Sequence, residues 1–166
     1  MTSAERLVGK LAEKGLTCAT AESCTGGGVG FAITSVSGAS AVFWGGVISY
    51  DNSVKQGVLC VPEEVLAAHG AVSSECAAAM AEGARRLMKT DLAVSITGIA
   101  GPGGGSADKP VGLVWFGLSS GGQCPAATVT TEKRIFPGDR DAVRSAAIEH
   151  ALRLLLSAAS SNGFCA

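Results

Sequence analysis

Ala21-Glu22-Ser23-Cys24-Thr25-Gly26-Gly27-Gly28 is the stretch on which this chain is organised. A strand-like run, Leu16-Thr17-Cys18-Ala19-Thr20, leads into it, and a helix-capable run from Val29 to Val36 leaves it. A serine at such a junction sits among unpaired backbone N–H groups, at the positive end of a helix dipole. That position suits an anion, or an oxyanion if the serine attacks a carbonyl. The glycines let a backbone or a ligand come close. The same residues also describe a plainly capped helix, since serine and threonine are common N-caps. The rest of the chain decides between the two.

Before this stretch, Leu7, Val8 and Leu11 fall at helical spacing in Ala4 to Lys14, and Gly15 ends that amphipathic helix. After it, Val42 to Tyr50 reads as a buried strand interrupted by Gly45-Gly46. Asp51 and Asn52 then start a short helical turn over Ser53 to Gly57. Pro62-Glu63-Glu64 opens a helix that stops at Gly70, and Ser73 opens a long alanine-rich helix running to about Lys89. Asp91 to Ile96 is a strand of the fully buried kind, and it runs into a second glycine-rich loop, Thr97 to Ser106. Val111 to Leu118 and Ala126 to Ile135 read as a hairpin across Ser119 to Gly122, and a last helix spans Asp139 to Ser157. Helices alternate with strands early and strands run together late. The expected fold is a three-layer α/β/α sandwich on a mixed, mostly parallel sheet, one domain over residues 1–166. In open α/β sheets ligands bind at the carboxyl ends of strands, where both glycine-rich loops fall.

Composition narrows the function classes. The chain is 47% hydrophobic and 16% charged, which fits a compact globule and excludes a disordered chain. A formal net charge of -1 supplies no global field for nucleic acid. Charge, serine and glycine interrupt every apolar run short of a membrane span, and the first residues lack a signal pattern, so a cytoplasmic protein without a membrane partner is expected. Few charges and much alanine and glycine predict a homo-oligomer, most simply a dimer. The six cysteines contain no C-x-x-C pair, and His69 and His150 lie far apart. No metal site or cofactor is expected, and the cysteines read mostly as buried reduced thiols. Cys24, at a helix start, is the one thiol with a case for reactivity.

Tyr50 closes a strand and Lys55 follows five residues later, so a helical turn over Asp51 to Lys55 folds the lysine back beside it. A serine nucleophile needs a base, and neither histidine stands in a motif that suggests one. A lysine kept neutral by desolvation serves instead. Arg140 and Arg144, four apart on one helix face, admit two readings: a phosphate site, or surface pairing with Asp139 and Asp141.

Taken in order, Ala21 to Gly27, Gly45 to Lys55, His69 to Ser73, Thr97 to Gly104 and Gly138 to Arg144 resemble the CinA C-terminal-domain family, the PncC-type nicotinamide-nucleotide amidases. The likeness runs from about Ala4 to Leu156. It implies hydrolysis of the carboxamide of nicotinamide mononucleotide to nicotinate mononucleotide and ammonia. It also implies a Ser23 nucleophile assisted by Lys55 and Tyr50. The motifs that carry it supply the substrate-binding candidates Thr25, Gly26, Gly46, Thr97, Gly98, Ala100 and Gly101, with Arg140 for the phosphate. Two alternatives stay open: a pyridine-nucleotide-binding module without turnover, and an amidase for another small amide.

Overall fold

In the computed structural model, which describes residues 1–121 and 127–161, five strands form one sheet between two helical layers. The strands are β1 (Cys18–Glu22), β2 (Phe43–Ile48), β3 (Leu92–Gly98), β4 (Leu113–Ser120) and β5 (Thr128–Ile135), in the order β2-β1-β3-β4-β5. β1 pairs parallel with β2 and β3, whereas β3–β4 and β4–β5 are antiparallel. Four strands therefore point one way and only β4 opposes them, the mixed and mostly parallel sheet expected.

The helices follow the sequence signals closely. α1 (Ser3–Lys14) begins with a capping box of Thr2 and Glu5 and ends at Gly15 in the left-handed conformation. α2 (Gly28–Thr34), α3 (Asn52–Gly57), α4 (Glu63–His69), α5 (Ser74–Met88) and α6 (Arg140–Ser160) complete the set among the described residues. α1, α2 and α6 cover one face, where Leu7, Leu11, Val29, Ile33, Val143 and Leu155 pack on Val94, Ile96 and Phe116. α5 covers the other, where Cys76, Met80 and Ala84 meet Ala19, Ala21 and Ala93. β1 and β3 lie in the middle and are buried almost throughout, which matches their unbroken apolar runs.

One strand departs from the expectation. β2 is an edge strand, and its residues alternate between partly buried and exposed, so the Val42–Tyr50 run is not a buried strand. Among the described residues no strand pairs with the outer edge of β2, and on one of its faces Trp44 and Ile48 are each 56% exposed. At the other end of the sheet β4 and β5 pair as an antiparallel ladder, as expected for a hairpin. Gly122 and Ala126, which the sequence reading assigned to its turn and second strand, lie outside the described residues.

This topology gathers the chemistry. β1 and β3 end, and β4 begins, on the same rim of the sheet. The loops following Glu22 and Gly98 therefore stand side by side, and Ser23 is tied across by its N–H donating to the Ile96 carbonyl at 2.9 Å.

Candidate functional site

Ser23 leaves β1 where the chain turns into α2, and Glu22 holds that turn. Its carboxylate, 1% exposed, accepts from the Thr25 hydroxyl at 2.8 Å and from the backbone N–H groups of Gly27, Val29 and Gly30 at 3.0, 3.0 and 2.9 Å. Three of the orphan donors at the start of α2 are thus satisfied by a side chain from the preceding strand. Gly27, at φ 94, lies beneath Ile48, where a Cβ would come within 3.0 Å of that side chain. The expectation of a free positive helix start is corrected in this respect: those amides already bind an anion, and it is Glu22. No sequence motif marks this residue for a role. The available signal was a lone carboxylate closing the otherwise uncharged strand Cys18–Glu22, directly before the glycines.

The amides left over are the informative ones. The Gly26 N–H closes a turn on the Ser23 carbonyl and the Gly28 N–H on the Thr25 carbonyl, at 3.1 Å each. Among the described residues neither the Cys24 nor the Thr25 N–H is bonded to another residue. They belong to the two residues that follow the serine.

Lys55 arrives from α3, whose start is fixed by Asp51 accepting from the Ser53 N–H. Its Nζ lies 3.3 Å from Ser23 Oγ, 2.7 Å from the Ser49 carbonyl oxygen and 3.3 Å from that of Tyr50. The side chain is 1% exposed, and among the described residues no carboxylate forms an ion pair with it. Burial lowers its pKa from the ordinary lysine value, opposed chiefly by the charges of Cys76, Asp51 and Cys24. Burial also raises both thiols, Cys24 to about 11, so neither is a thiolate at neutral pH and only Asp51 offers a negative charge there. Nζ thus faces three oxygens, Ser23 Oγ and the Ser49 and Tyr50 carbonyls, and donates to each. The same shift removes the case for Cys24 as a reactive thiol. Cys18 and Cys76 are buried like Cys24, Cys60 is exposed, and Cys124 and Cys165 lie outside the described residues.

Tyr50 is brought to this site, in a different way from the one expected. Its main-chain carbonyl, not its phenol, meets Lys55. The ring is 63% exposed, and its hydroxyl accepts from Arg140 Nη2 at 3.3 Å. Arg140 Nη1 also donates to the Gly101 carbonyl at 2.9 Å, which joins the second glycine-rich loop to the start of α6. Arg144, one turn on, donates from Nε to the Cys24 carbonyl at 3.1 Å and from Nη2 to the Thr25 carbonyl at 3.2 Å. Neither arginine pairs with Asp139 or Asp141, and Asp139 instead caps α6. Of the other candidates, Thr25 and Gly26 form the serine turn, while Thr97 is buried with its hydroxyl on the Ala71 carbonyl at 2.8 Å. Gly98 ends β3, and Ala100 and Gly101 lie at the start of the loop that runs to β4. Gly46 stands apart, inside the sheet opposite Thr20, where a Cβ would overlap the threonine hydroxyl.

The arrangement is a serine with a buried amine at its side, free amides next to it and two guanidinium groups at the rim. The family model described as CinA C-terminal domain matches residues 1–159. The chain belongs to the CinA C-terminal domain family. A putative competence-damage inducible protein of Desulforudis audaxviator is 49% identical over 154 residues, covering 92% of this chain and 36% of that protein. A CinA-like protein of Parasynechococcus marenigrum is 57% identical over 116 residues, 70% of this chain and 28% of that one. The chain thus spans about a third of the length of the curated relatives it matches. Among solved CinA-family structures, the competence/damage inducible protein CihA of Agrobacterium tumefaciens superposes with a TM-score of 0.88 at 40% identity, covering 93% of this chain and 92% of that one. A CinA superfamily protein of Klebsiella pneumoniae gives 0.88 at 35% identity, covering 95% and 96%. No described helix is long and apolar enough to cross a membrane.

Proposed function

We propose that this CinA-family domain is a metal-independent serine amidohydrolase that converts nicotinamide mononucleotide to nicotinate mononucleotide and ammonia. One observation carries the reading: a buried lysine amine, with no carboxylate ion pair among the described residues, lies 3.3 Å from Ser23 Oγ. Ser23 Oγ attacks the carboxamide carbon while its proton passes to Lys55 Nζ. The carbonyl electron pair moves to oxygen, where the Cys24 and Thr25 amides receive the oxyanion. As the tetrahedral intermediate collapses, the C–N bond breaks and Lys55 returns its proton to the departing nitrogen, which leaves as ammonia. Water then gives a proton to the amine and attacks the acyl carbon. On collapse the acyl C–O bond breaks, Lys55 returns that proton to Ser23 Oγ, and the acid product leaves and ionises to the carboxylate. The substrate class is the one that the resemblance of the sequence motifs implies. It is supported by the Arg140 guanidinium and the exposed Tyr50 ring at the rim, which suit a phosphate and a flat heterocycle.

The test is ammonia release from nicotinamide mononucleotide with chelator present. Ser23→Ala is expected to abolish turnover and leave nucleotide binding intact. Lys55→Arg is expected to be as inactive as Lys55→Ala, because guanidinium does not give up its proton. A Lys55→Arg protein that keeps most of the chemical rate would reduce Lys55 to a fixed charge and refute the assignment. We also propose a homodimer, supported by the uncharged β2 edge with its exposed Trp44 and Ile48. Sedimentation at micromolar concentration is expected to give twice the 16.5 kDa chain mass, and a monomer overturns it.

A further inference from the structure

The guanidinium of Arg144 grips the two carbonyls on either side of the Thr25 residue, those of Cys24 and Thr25 itself. A trans peptide is planar, so its C=O and N–H point in opposite directions. The Cys24 carbonyl and the Thr25 N–H belong to one such unit. Drawing that oxygen onto α6 therefore turns the Thr25 N–H away from α6. The Ser23–Cys24 unit is fixed the same way, since the Ser23 carbonyl is held by the Gly26 N–H at 3.1 Å and its own N–H must face opposite. Both of these amides thus take their direction from bonds made by the carbonyls of their own peptide units.

Arg144 acts electrically as well as sterically. A cation on a carbonyl oxygen draws electron density through the peptide and makes the N–H at its far end a stronger donor. Among the described residues no carboxylate pairs with Arg144, so its charge is spent on these two peptides. Glu22 does the complementary work on the next residues, accepting from the Gly27, Val29 and Gly30 amides and from the Thr25 hydroxyl, but from neither the Cys24 nor the Thr25 amide. The loop is held from one side by an anion on its later amides and from the other by a cation on its earlier carbonyls.

We infer that Arg144 is a positioning residue that sets and polarises the Thr25 amide as an oxyanion donor, rather than a ligand of the substrate phosphate. This rests on the serine reading above. The division of labour follows: Arg140, on the exposed Tyr50 hydroxyl, faces the substrate, and Arg144 faces the backbone of the nucleophile loop.

Two measurements on the full chain decide it. The first compares nicotinamide mononucleotide with its phosphate-free riboside. Arg144→Ala is expected to lower kcat about 100-fold on both, the loss typical of one oxyanion donor, with KM little changed. Added guanidinium ion is expected to recover part of kcat, which a purely structural defect does not allow. Arg140→Ala is expected to raise KM for the phosphorylated substrate alone. If Arg144→Ala instead raises KM only for the phosphorylated compound, Arg144 is a phosphate ligand and the inference is overturned. The second measures how fast a fluorophosphonate probe labels Ser23, which needs no knowledge of the substrate. Arg144→Ala is expected to slow labelling about 100-fold, and unchanged labelling overturns the inference while leaving the serine reading intact. Failure of the wild-type protein to label at Ser23 removes the serine reading and the inference with it. Arg144→Lys, which holds one carbonyl and not two, is expected to fall between wild type and Arg144→Ala.

Discussion

Removing the Glu22 carboxylate tests the architecture of the nucleophile loop most directly. Its Oε2 accepts from the Thr25 hydroxyl and the Gly27 and Val29 amides, and its Oε1 from the Gly30 amide. Glu22→Gln keeps a carbonyl oxygen for the three-donor side and sets an NH2 group against the Gly30 N–H. One charge-assisted bond is lost outright and three are weakened. A hydrogen bond to a charged group contributes about 1.5–3 kcal/mol, so a loss of about 2 kcal/mol is expected. Glu22→Ala strands three amides and a hydroxyl inside the protein. At about 1–3 kcal/mol for each unsatisfied group, offset where α2 frays to admit water, the loss is about 4 kcal/mol. That is a large share of the roughly 5–15 kcal/mol that stabilises a domain. Urea unfolding read by circular dichroism gives both numbers, provided the slope stays that of wild type. Turnover is expected to fall more steeply than stability, because a displacement of Ser23 by about 1 Å costs on the order of 100-fold. A Glu22→Ala protein within about 1 kcal/mol of wild type would refute the claim that this carboxylate organises the loop.

Further outcomes follow from the same site. The rate of acyl-enzyme formation is expected to rise with pH through a midpoint below 10.5, since burial lowers the Lys55 pKa; a rate independent of pH below 10.5 counts against the amine as base. Stability is linked to the same shift. Between its folded value and 10.5 the folded chain binds fewer protons at Lys55 than the unfolded chain, so wild-type stability is expected to climb with pH across that window. The melting-temperature difference between Lys55→Met and wild type is expected to move in favour of wild type as pH rises toward 10.5. Cys24, with its thiol raised to about 11, is expected to resist alkylation at neutral pH while the exposed Cys60 reacts, and mass mapping of iodoacetamide adducts checks the order. Cys24→Ala is expected to keep its turnover, and a dead variant would reopen the thiol as nucleophile.

The sequence carries the sandwich and the two loaded loops because their signals are local. Gly15 at positive φ, the Thr2–Glu5 box and the buried run Leu92 to Ile96 each report on a few neighbouring residues. The edge position of β2 is not local. An apolar run such as Phe43–Ile48 has the same composition whether it lies inside the sheet or at its edge, and only the strand order tells. Lys55 is legible through its distance from Tyr50, but the atom it meets is a main-chain carbonyl, which side-chain identity does not predict. Glu22 is hidden for a similar reason. Three of its four partners are backbone amides, which every residue except proline offers, so no partner residue marks its role. Arg144 and Arg140 look alike on one helical face, and their tasks separate only when the carbonyls of Cys24, Thr25 and Gly101 are in view.

α6 is 21 residues long, about 30 Å. Its first turn carries Arg140 and Arg144 at the rim, and its last turn stands by α1, where Lys14 Nζ donates to the Ser161 carbonyl. The helix therefore works as a handle whose grip lies at the far end from the chemistry. A protein anchored to a sensor chip or resin through a tag after Ser161 presents Ser23 to the flowing solution, whereas an attachment at Asp139 sets the support against the site.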